Sequence, residues 1–237
     1  MSYIIHMEST TTVCSVSLAK SGKLIASKTD FDGQNHAKLI GLFVEQLLHE
    51  NNINPKQLAA IAVSEGPGSY TGLRIGTSHA KGMCYALNIP LIAINPLQAL
   101  CKQALSRKHA GIKNPETAHY IALMDARRME VYTATFNSHC QMQTPVEAKI
   151  IDENSFMDAN NENEIVIFGN GAAKCAQIMK HPQLHHMEEV HCHADDMCEL
   201  AHEAFLQKTF VDVAYFEPLY LKDFVVLPPK QSIFEKI

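Results

Sequence analysis

Short apolar runs separated by polar turns make up the first part of the chain. Three of these runs, at residues 3–7, 13–18 and 24–27, predict β-strands. The turns between them are too short for a crossover connection, so the strands should form an antiparallel meander. Over residues 36–49 the apolar period becomes helical, and the apolar arc covers more than one side. A single core face cannot cover so wide an apolar arc. We therefore expect one side of the helix to be buried inside the protein and another side to be buried elsewhere.

A glycine-rich turn lies between the next predicted strand and a second predicted helix. The strand covers residues 58–63, the helix covers 73–87, and another strand follows at 90–94. A meander followed by alternating helices and strands predicts an α/β layer with helices on the faces of the sheet.

The second half of the chain repeats this order more weakly. Its predicted elements are a helix at 97–106, a hairpin of strands at 120–124 and 129–136, a strand at 164–168, and helices at 172–179 and 195–207. Hairpins followed by helices in both halves indicate a two-lobed molecule. We assign residues 1–100 to a first lobe, 101–210 to a second lobe, and 211–237 to a terminal segment that packs back on the first lobe.

Charge and composition exclude several classes of function. The net charge is −5 and the pI is near 6.2, which argues against independent, high-affinity binding of nucleic acid. No apolar run is long enough to span a bilayer, and the first residues lack the zones of a signal peptide. The seven cysteines form no CxxC pair, so we expect reduced thiols in a cytoplasmic protein without membrane contact.

The turn before the second helix allows two interpretations. It could cradle a phosphate, because backbone N–H groups at a helix N-terminus attract anions. However, no lysine stands where a P-loop requires one, and the third glycine of a dinucleotide pattern is displaced to Gly72. Gly72, Gly76 and Ala80 recur every fourth residue and form a stripe of small residues on one face of the helix. That stripe would allow close approach of a partner subunit or of the chain's own sheet.

Histidines crowd the C-terminal half of the chain together with two cysteines and two aspartates. They are His181, His185, His186, His191, His193 and His202, with Cys192, Cys198, Asp195 and Asp196. Such a tract could bind zinc or copper. The spacings match no established zinc pattern, so a solvated connection with exposed histidines is favoured and we assign no metal.

Three motifs together carry a family resemblance. They are the Gly-Pro-Gly-Ser-Tyr-Thr-Gly-Leu-Arg-Ile-Gly run that ends at Gly76, residues 125–132, and residues 218–222. With these, the chain resembles the bacterial TsaB (YeaZ) proteins over essentially its full length. The resemblance implies the two-lobed, ribonuclease H-like α/β fold of actin, Hsp70 and sugar kinases, with mixed sheets flanked by helices. It also implies a non-catalytic role in forming threonylcarbamoyl adenosine beside the anticodon of tRNAs that read codons beginning with A.

The resemblance further implies a set of partners. These are the catalytic paralogue TsaD, the ATPase TsaE, a second copy of the chain when it is alone, and tRNA reached only through the complex. In the family, pairing uses the two helices that match residues 36–49 and 73–87. The predicted interface residues are His36, Leu39, Ile40, Phe43, Leu47, Gly72, Leu73, Ile75, Gly76, His79, Ala80 and Met83.

The catalytic and nucleotide sites of the family look altered in this sequence. Pro96 and Leu100 stand where the paralogue has two metal-binding histidines, and neither can ligate a metal. Ser9, Thr10 and Gly68 are weak candidates for binding a nucleotide. We therefore expect no catalytic residues and no tightly bound cofactor in this chain, with ATP used by the complex. The alternatives are a stand-alone ATPase or kinase-like enzyme, or a glycoprotease-like peptidase of the same fold.

Overall fold

The computed structural model describes residues 2–33, 35–107, 111–157 and 163–222 of the 237-residue chain. The described strands form two five-stranded sheets. The strands of the first sheet are β1 (Tyr3–Glu8), β2 (Cys14–Lys20), β3 (Lys23–Asp30), β4 (Leu58–Ser64) and β5 (Leu91–Ile94). Those of the second sheet are β6 (His119–Asp125), β7 (Glu130–Phe136), β8 (Glu147–Ile150), β9 (Ile165–Phe168) and β10 (Leu184–Met187).

The two sheets have the same topology. The first has the order β3-β2-β1-β4-β5, with β1 antiparallel to β2 and parallel to β4. The second has the order β10-β9-β6-β7-β8, with β6 antiparallel to β7 and parallel to β9. The predicted meander is confirmed. The predicted fold class, α/β with mixed sheets flanked by helices, is confirmed.

Helices cover both faces of the first sheet. The helices of the described residues are α1 (His36–Glu50), α2 (Tyr70–Leu87), α3 (Pro96–Ser106), α4 (Ala172–Ala176) and α5 (Cys198–Gln207). Helices α1 and α2 lie on one face, where Ile40 and Ala80 join the core, and α5 packs on the other. Full burial of a side chain such as Ile40 stabilises the fold by roughly 1.5–3 kcal/mol. None of these described helices has the length and apolar content needed to cross a membrane.

Capping residues set the ends of the helices. The Ser69 side chain accepts a hydrogen bond from the first turn, so α2 begins at Tyr70, ahead of the predicted start. The Asn95 side chain caps α3 in the same way, with Pro96 as its first residue. Asn88 ends α2 in the left-handed conformation, with φ of 52°, as its position in the sequence predicts.

The second half departs from its predicted elements in four places. The sequence pattern misses β8 and β10, because both are short edge strands with polar side chains. The helix predicted at 172–179 ends at Ala176. The helix predicted at 195–207 starts instead as a 3₁₀ turn at Ala194–Met197, followed by α5.

Helix α3 links the cores of the two sheets. Ala99 packs with residues of the first sheet, whereas Leu97, Leu100 and Cys101 pack with residues of the second. The predicted lobe boundary at residues 100 and 101 therefore falls inside a helix that both cores share.

Residues 211–222, here called the strap, run back over the first sheet and α2. The N–H of Val211 donates to Leu91 O at 3.0 Å, and Val213 and Phe216 pack against the core under α1 and α2. At the far end Lys222 Nζ donates to Ala126 O at 3.1 Å, beside the second sheet. The rest of the predicted terminal segment, residues 223–237, lies outside the described residues.

Candidate functional site

A cleft of about 880 Å³ separates the start of α2 from the β6–β7 turn. Thr10, Gly68 and Tyr70 line it on one side, and Arg127 and Lys222 line it on the other. Two of the three predicted nucleotide contacts, Thr10 and Gly68, therefore lie at the cleft.

The hydroxyl donors of the predicted phosphate loop are used inside the protein. Ser9 Oγ donates to Gly72 O at 2.8 Å. The Thr10 N–H and the Thr10 Oγ1 donate to Glu8 Oε1 at 2.6 and 2.5 Å. Both side chains are buried. As arranged here, Ser9 and Thr10 donate their hydroxyls within the chain, and their contact with a nucleotide stays a prediction.

Glu8, at the end of β1, is enclosed rather than presented to the cleft. Its carboxyl is fully buried and also accepts a hydrogen bond from Ser64 Oγ. Burial raises the pKa of Glu8, and the hydrogen bonds from Ser64 and Thr10 oppose that rise. The carboxyl connects β1 to the end of β4 and to the loop after β1 by hydrogen bonds, so its role here is structural.

Gly68 serves close packing between two loops. A Cβ on Gly68 would lie 2.6 Å from Thr10 O, and the N–H of Ser69 donates to the same oxygen at 2.7 Å. The glycine allows the turn before α2 to touch the loop after β1. This contact, rather than close approach to a phosphate, explains the residue.

The positions that would hold the paralogue's metal are apolar and buried. Pro96 begins α3, and Leu100 packs in the core of the second sheet. In the ranges that the structure describes, no group of three His, Cys, Asp or Glu side chains is arranged to bind a metal ion.

Among the histidines of the C-terminal half, His191 is exposed in a loop as predicted, but that prediction is wrong for several of the others. His185 and His186 belong to β10, and His181 is buried. His185 Nε2 lies 2.9 Å from Glu164 Oε1, and His193 Nδ1 lies 3.3 Å from Asp195 Oδ2. The rings of His185 and His193 thus have carboxylate partners within the fold.

The small-residue stripe of α2 faces the chain's own core. A Cβ on Gly72 would lie 1.9 Å from Ser9 O, and one on Gly76 would lie 2.4 Å from Ser9 Oγ. Ala80 is fully buried against the first sheet. The internal neighbour, not a partner subunit, therefore explains why these positions are small.

Seven of the predicted interface residues are buried in this chain, and their place at an interface stays a prediction: His36, Ile40, Leu47, Gly72, Leu73, Gly76 and Ala80. Ile40 and Leu47 pack on the sheet below α1. His36 Nε2 lies 3.1 Å from Thr11 O. The apolar pattern correctly indicated burial of these residues, but it could not identify what buries them.

A different set of side chains forms the outer surface of the helix pair. The two helices touch closely, since a Cβ on Gly41 would lie 2.8 Å from His79 Nε2. The predicted residues that remain half-buried are Leu39, Phe43, Ile75, His79 and Met83. Two further residues join them, Leu42, which is 39% exposed, and Gly82, where a Cβ would have no neighbour within 4 Å. We call these seven residues the α1–α2 face.

Comparison with known proteins gives a consistent answer for the whole chain. A family model described as "TsaD: tRNA N6-adenosine threonylcarbamoyltransferase" matches residues 30–228. The tRNA threonylcarbamoyladenosine biosynthesis protein TsaB of Haemophilus influenzae is 26% identical over 230 residues, 93% of each chain. That of Escherichia coli is 26% identical over 240 residues, covering 96% of this chain and 99% of its own. The chain belongs to this family, in its TsaB (YeaZ) branch. The structure of YeaZ from Pseudomonas aeruginosa is similar in fold, with 24% identity, a TM-score of 0.77, and coverage of 93% of this chain and 100% of its own.

The TsaB-like glycine run has a structural explanation in this chain. Gly66 has φ of +99°, and a Cβ there would lie 2.8 Å from Leu219 O of the strap. The N–H of Leu219 donates to Glu65 O at 2.7 Å, so the strap is bonded to the turn before α2. The run therefore fits the turn between the loop after β1 and the strap, while the surface of α2 at Gly82 stays uncovered.

Proposed function

We propose that this chain is a non-catalytic subunit in the formation of threonylcarbamoyl adenosine in tRNA. It would pair through its α1–α2 face with the catalytic paralogue TsaD, and the ATPase TsaE would join that pair. The names of its TsaB relatives support the pathway. The observation that carries the pairing is the half-exposed apolar surface on two adjacent helices.

The composition of the α1–α2 face fits a protein partner. Leu39, Leu42 and Phe43 on α1 and Ile75 and Met83 on α2 bring apolar area to the surface. The exposed charges Lys38 and Glu45 flank Leu42 on α1, so the surface has an apolar centre with charged residues beside it, as protein interfaces do.

Gly82 strengthens the case for a close partner. Glycine in the middle of a helix costs about 1 kcal/mol relative to alanine. The other glycines of α2 are explained by the chain's own loop, whereas nothing lies near Gly82. Close approach of a helix from another chain would explain a bare backbone at this point.

The interior supports a role without catalysis. Pro96 and Leu100 offer no metal ligands. The hydroxyls of Ser9 and Thr10 donate hydrogen bonds to other groups of the same chain. We infer that the isolated chain binds ATP poorly and that ATP is used elsewhere in the complex. When alone, two copies could pair through the same face, because a self-complementary helix pair suits twofold symmetry.

Reconstitution tests this function. The chain would be mixed with TsaD, TsaE, ATP and tRNA of its own organism, and the modified nucleoside would be measured by mass spectrometry. Modification should depend on this chain and should be lost with Leu42→Asp. The matched control is Leu206→Asp, an equally drastic change at a leucine on α5 that is 67% exposed.

Two results would contradict the proposal. One is full modification without this chain, and the other is equal activity of Leu42→Asp and Leu206→Asp with both proteins folded. Sustained ATP hydrolysis by the purified chain alone would favour the stand-alone enzyme instead.

A further inference from the structure

The outward side of α2 carries a second line of residues beside the α1–α2 face. Tyr70, Arg74, Ser78, Lys81 and Tyr85 follow one another at spacings of four, four, three and four. Residues at these spacings share one face of a helix. At 1.5 Å per residue, the line runs for about 22 Å along α2. We call it the tyrosine–cation stripe.

The strap adds two more tyrosines to this stripe. Lys81 Nζ donates to Ala214 O and Phe216 O, both at 3.0 Å, and these carbonyls flank Tyr215. Tyr215 is thereby held beside the stripe. At the other end, the ring of Tyr220 lies 4.9 Å from the ring of Tyr70.

The aromatic rings of the stripe are open to solvent. Tyr85 is 86% exposed and Tyr215 is 85% exposed. The Arg74 guanidinium lies 4.3 Å from the centre of the Tyr70 ring, so a cation stands beside the tilted ring pair of Tyr70 and Tyr220 at the start of α2. The fold gains little burial from either Tyr85 or Tyr215, which leaves both rings free for a ligand.

The charge of the stripe differs from that of the chain. The sequence of α2 contains Arg74 and Lys81 and no Asp or Glu, although the chain has a net charge of −5. On the strap, Asp212 and Glu217 are both exposed, and Asp212 Oδ1 accepts hydrogen bonds from the N–H groups of Ala214 and Tyr215. Along α2 itself, the two cations stand between the tyrosines without an acid, which suits an anionic ligand that has flat groups.

We propose that the tyrosine–cation stripe contacts single-stranded RNA, namely an unpaired segment of the tRNA of the proposed function, on which this inference rests. Bases would stack on Tyr85 and Tyr215, and phosphates would lie near Arg74 and Lys81. Proteins that bind single strands combine cationic grooves with aromatic platforms in this way. An acidic peptide would use the cations but would leave the planar faces of the two tyrosines unused.

The overall acidic charge fixes how the contact should be observed. The isolated chain should bind RNA weakly, because net repulsion opposes the local contacts. The stripe would add affinity once other subunits hold the tRNA nearby. It lies on the strap side of α2, whereas His79 on the α1–α2 face contacts α1, so pairing and RNA contact can be disturbed separately.

The test compares the tRNA affinity of the assembled complex across variants by filter binding at several salt concentrations. Tyr85→Ala and Tyr215→Ala should each weaken binding about tenfold, the effect expected for loss of one stacked base. Arg74→Gln should reduce the slope of log affinity against log salt by about one. Leu206→Ala and Lys180→Gln are the matched controls, both at exposed positions on other elements.

A second measurement separates this inference from the pairing of subunits. Size-exclusion chromatography should show unchanged assembly of the tyrosine variants. Ultraviolet crosslinking of the chain alone to a single-stranded oligoribonucleotide should label peptides that contain Tyr85 or Tyr215. Unchanged tRNA affinity of the double tyrosine variant would overturn the inference, and so would loss of assembly, which would assign the stripe to a protein. Absence of pairing in the wild type would instead refute the proposed function, and the crosslink would still decide whether the stripe binds RNA.

Discussion

Glycines on the inner side of α2 are closely packed against the chain, whereas the glycine on its outer side has open space around it. On the inner side, Gly72 and Gly76 exist because Ser9 occupies the space that a side chain would need. On the outer side, Gly82 has no neighbour at all. The difference teaches that the cleft end of this helix is closed by the chain itself, while its surface at Gly82 is left open for other molecules.

The largest expected effect comes from filling the inner side. Gly72→Ala places a Cβ 1.9 Å from a backbone oxygen of Ser9, and a backbone atom cannot move aside as a side-chain tip can. We expect a loss of about 4 kcal/mol or more in the free energy of unfolding, or failure to fold. Chemical denaturation measures it, and a loss below 1 kcal/mol would show that the loop after β1 yields easily.

A pair of substitutions on α1 sharpens the same contrast. Ile40 is fully buried, so Ile40→Ala should cost about 2–5 kcal/mol of stability. Leu42 is 39% exposed, so Leu42→Ala should change stability by less than about 0.5 kcal/mol while weakening the pairing with TsaD. Equal losses of stability in the two variants would show that Leu42 is not a surface residue.

A titration of stability reports on the closed interior. Burial lowers the pKa of His6 from 6.5 to about 4, so the folded chain holds this ring neutral while the unfolded chain protonates it. Stability should therefore be complete above pH 6.5 and fall by roughly 3 kcal/mol as the pH drops towards 4. His6→Gln should remove this part of the pH dependence. Parallel curves for the two proteins would contradict the burial of His6.

The smallest expected effect is on the outer side and has the opposite sign. Gly82→Ala should stabilise the isolated chain by up to about 1 kcal/mol, because alanine is the better helix former and the added Cβ meets nothing. Thermal unfolding measures the gain. A loss of stability would mean that the outer side of α2 is covered within the monomer.

The sequence predicted α1, α2 and the strands of the first sheet well, because their apolar periods are long and regular. It could not say which side of α2 faces inward, since a four-residue spacing shows only that Gly72, Gly76 and Ala80 share a face. The deciding contact is between Ser9 and Gly72, which are 63 positions apart. No local pattern contains that contact.

The outer surface was predicted only in part for a related reason. In the sequence, Leu42 widens the apolar arc of α1. Gly82 does not share the four-residue spacing of Gly72, Gly76 and Ala80, so the sequence marks both Leu42 and Gly82 as unusual positions. The addition of Tyr215 and Tyr220 to the tyrosine–cation stripe depends on the strap, whose position follows from hydrogen bonds to α2 and to Glu65. Such long-range contacts cannot be derived from periodicity.

The most direct test of the central claim is the affinity of Gly82→Arg for TsaD, measured by calorimetry beside Gly82→Ala. The new side chain projects from an open position, so the variant should fold at least as stably as the wild type and still lose detectable binding. Gly82→Ala should keep most of the affinity. Wild-type affinity of a folded Gly82→Arg protein would contradict the claim that another chain packs on the outer side of α2.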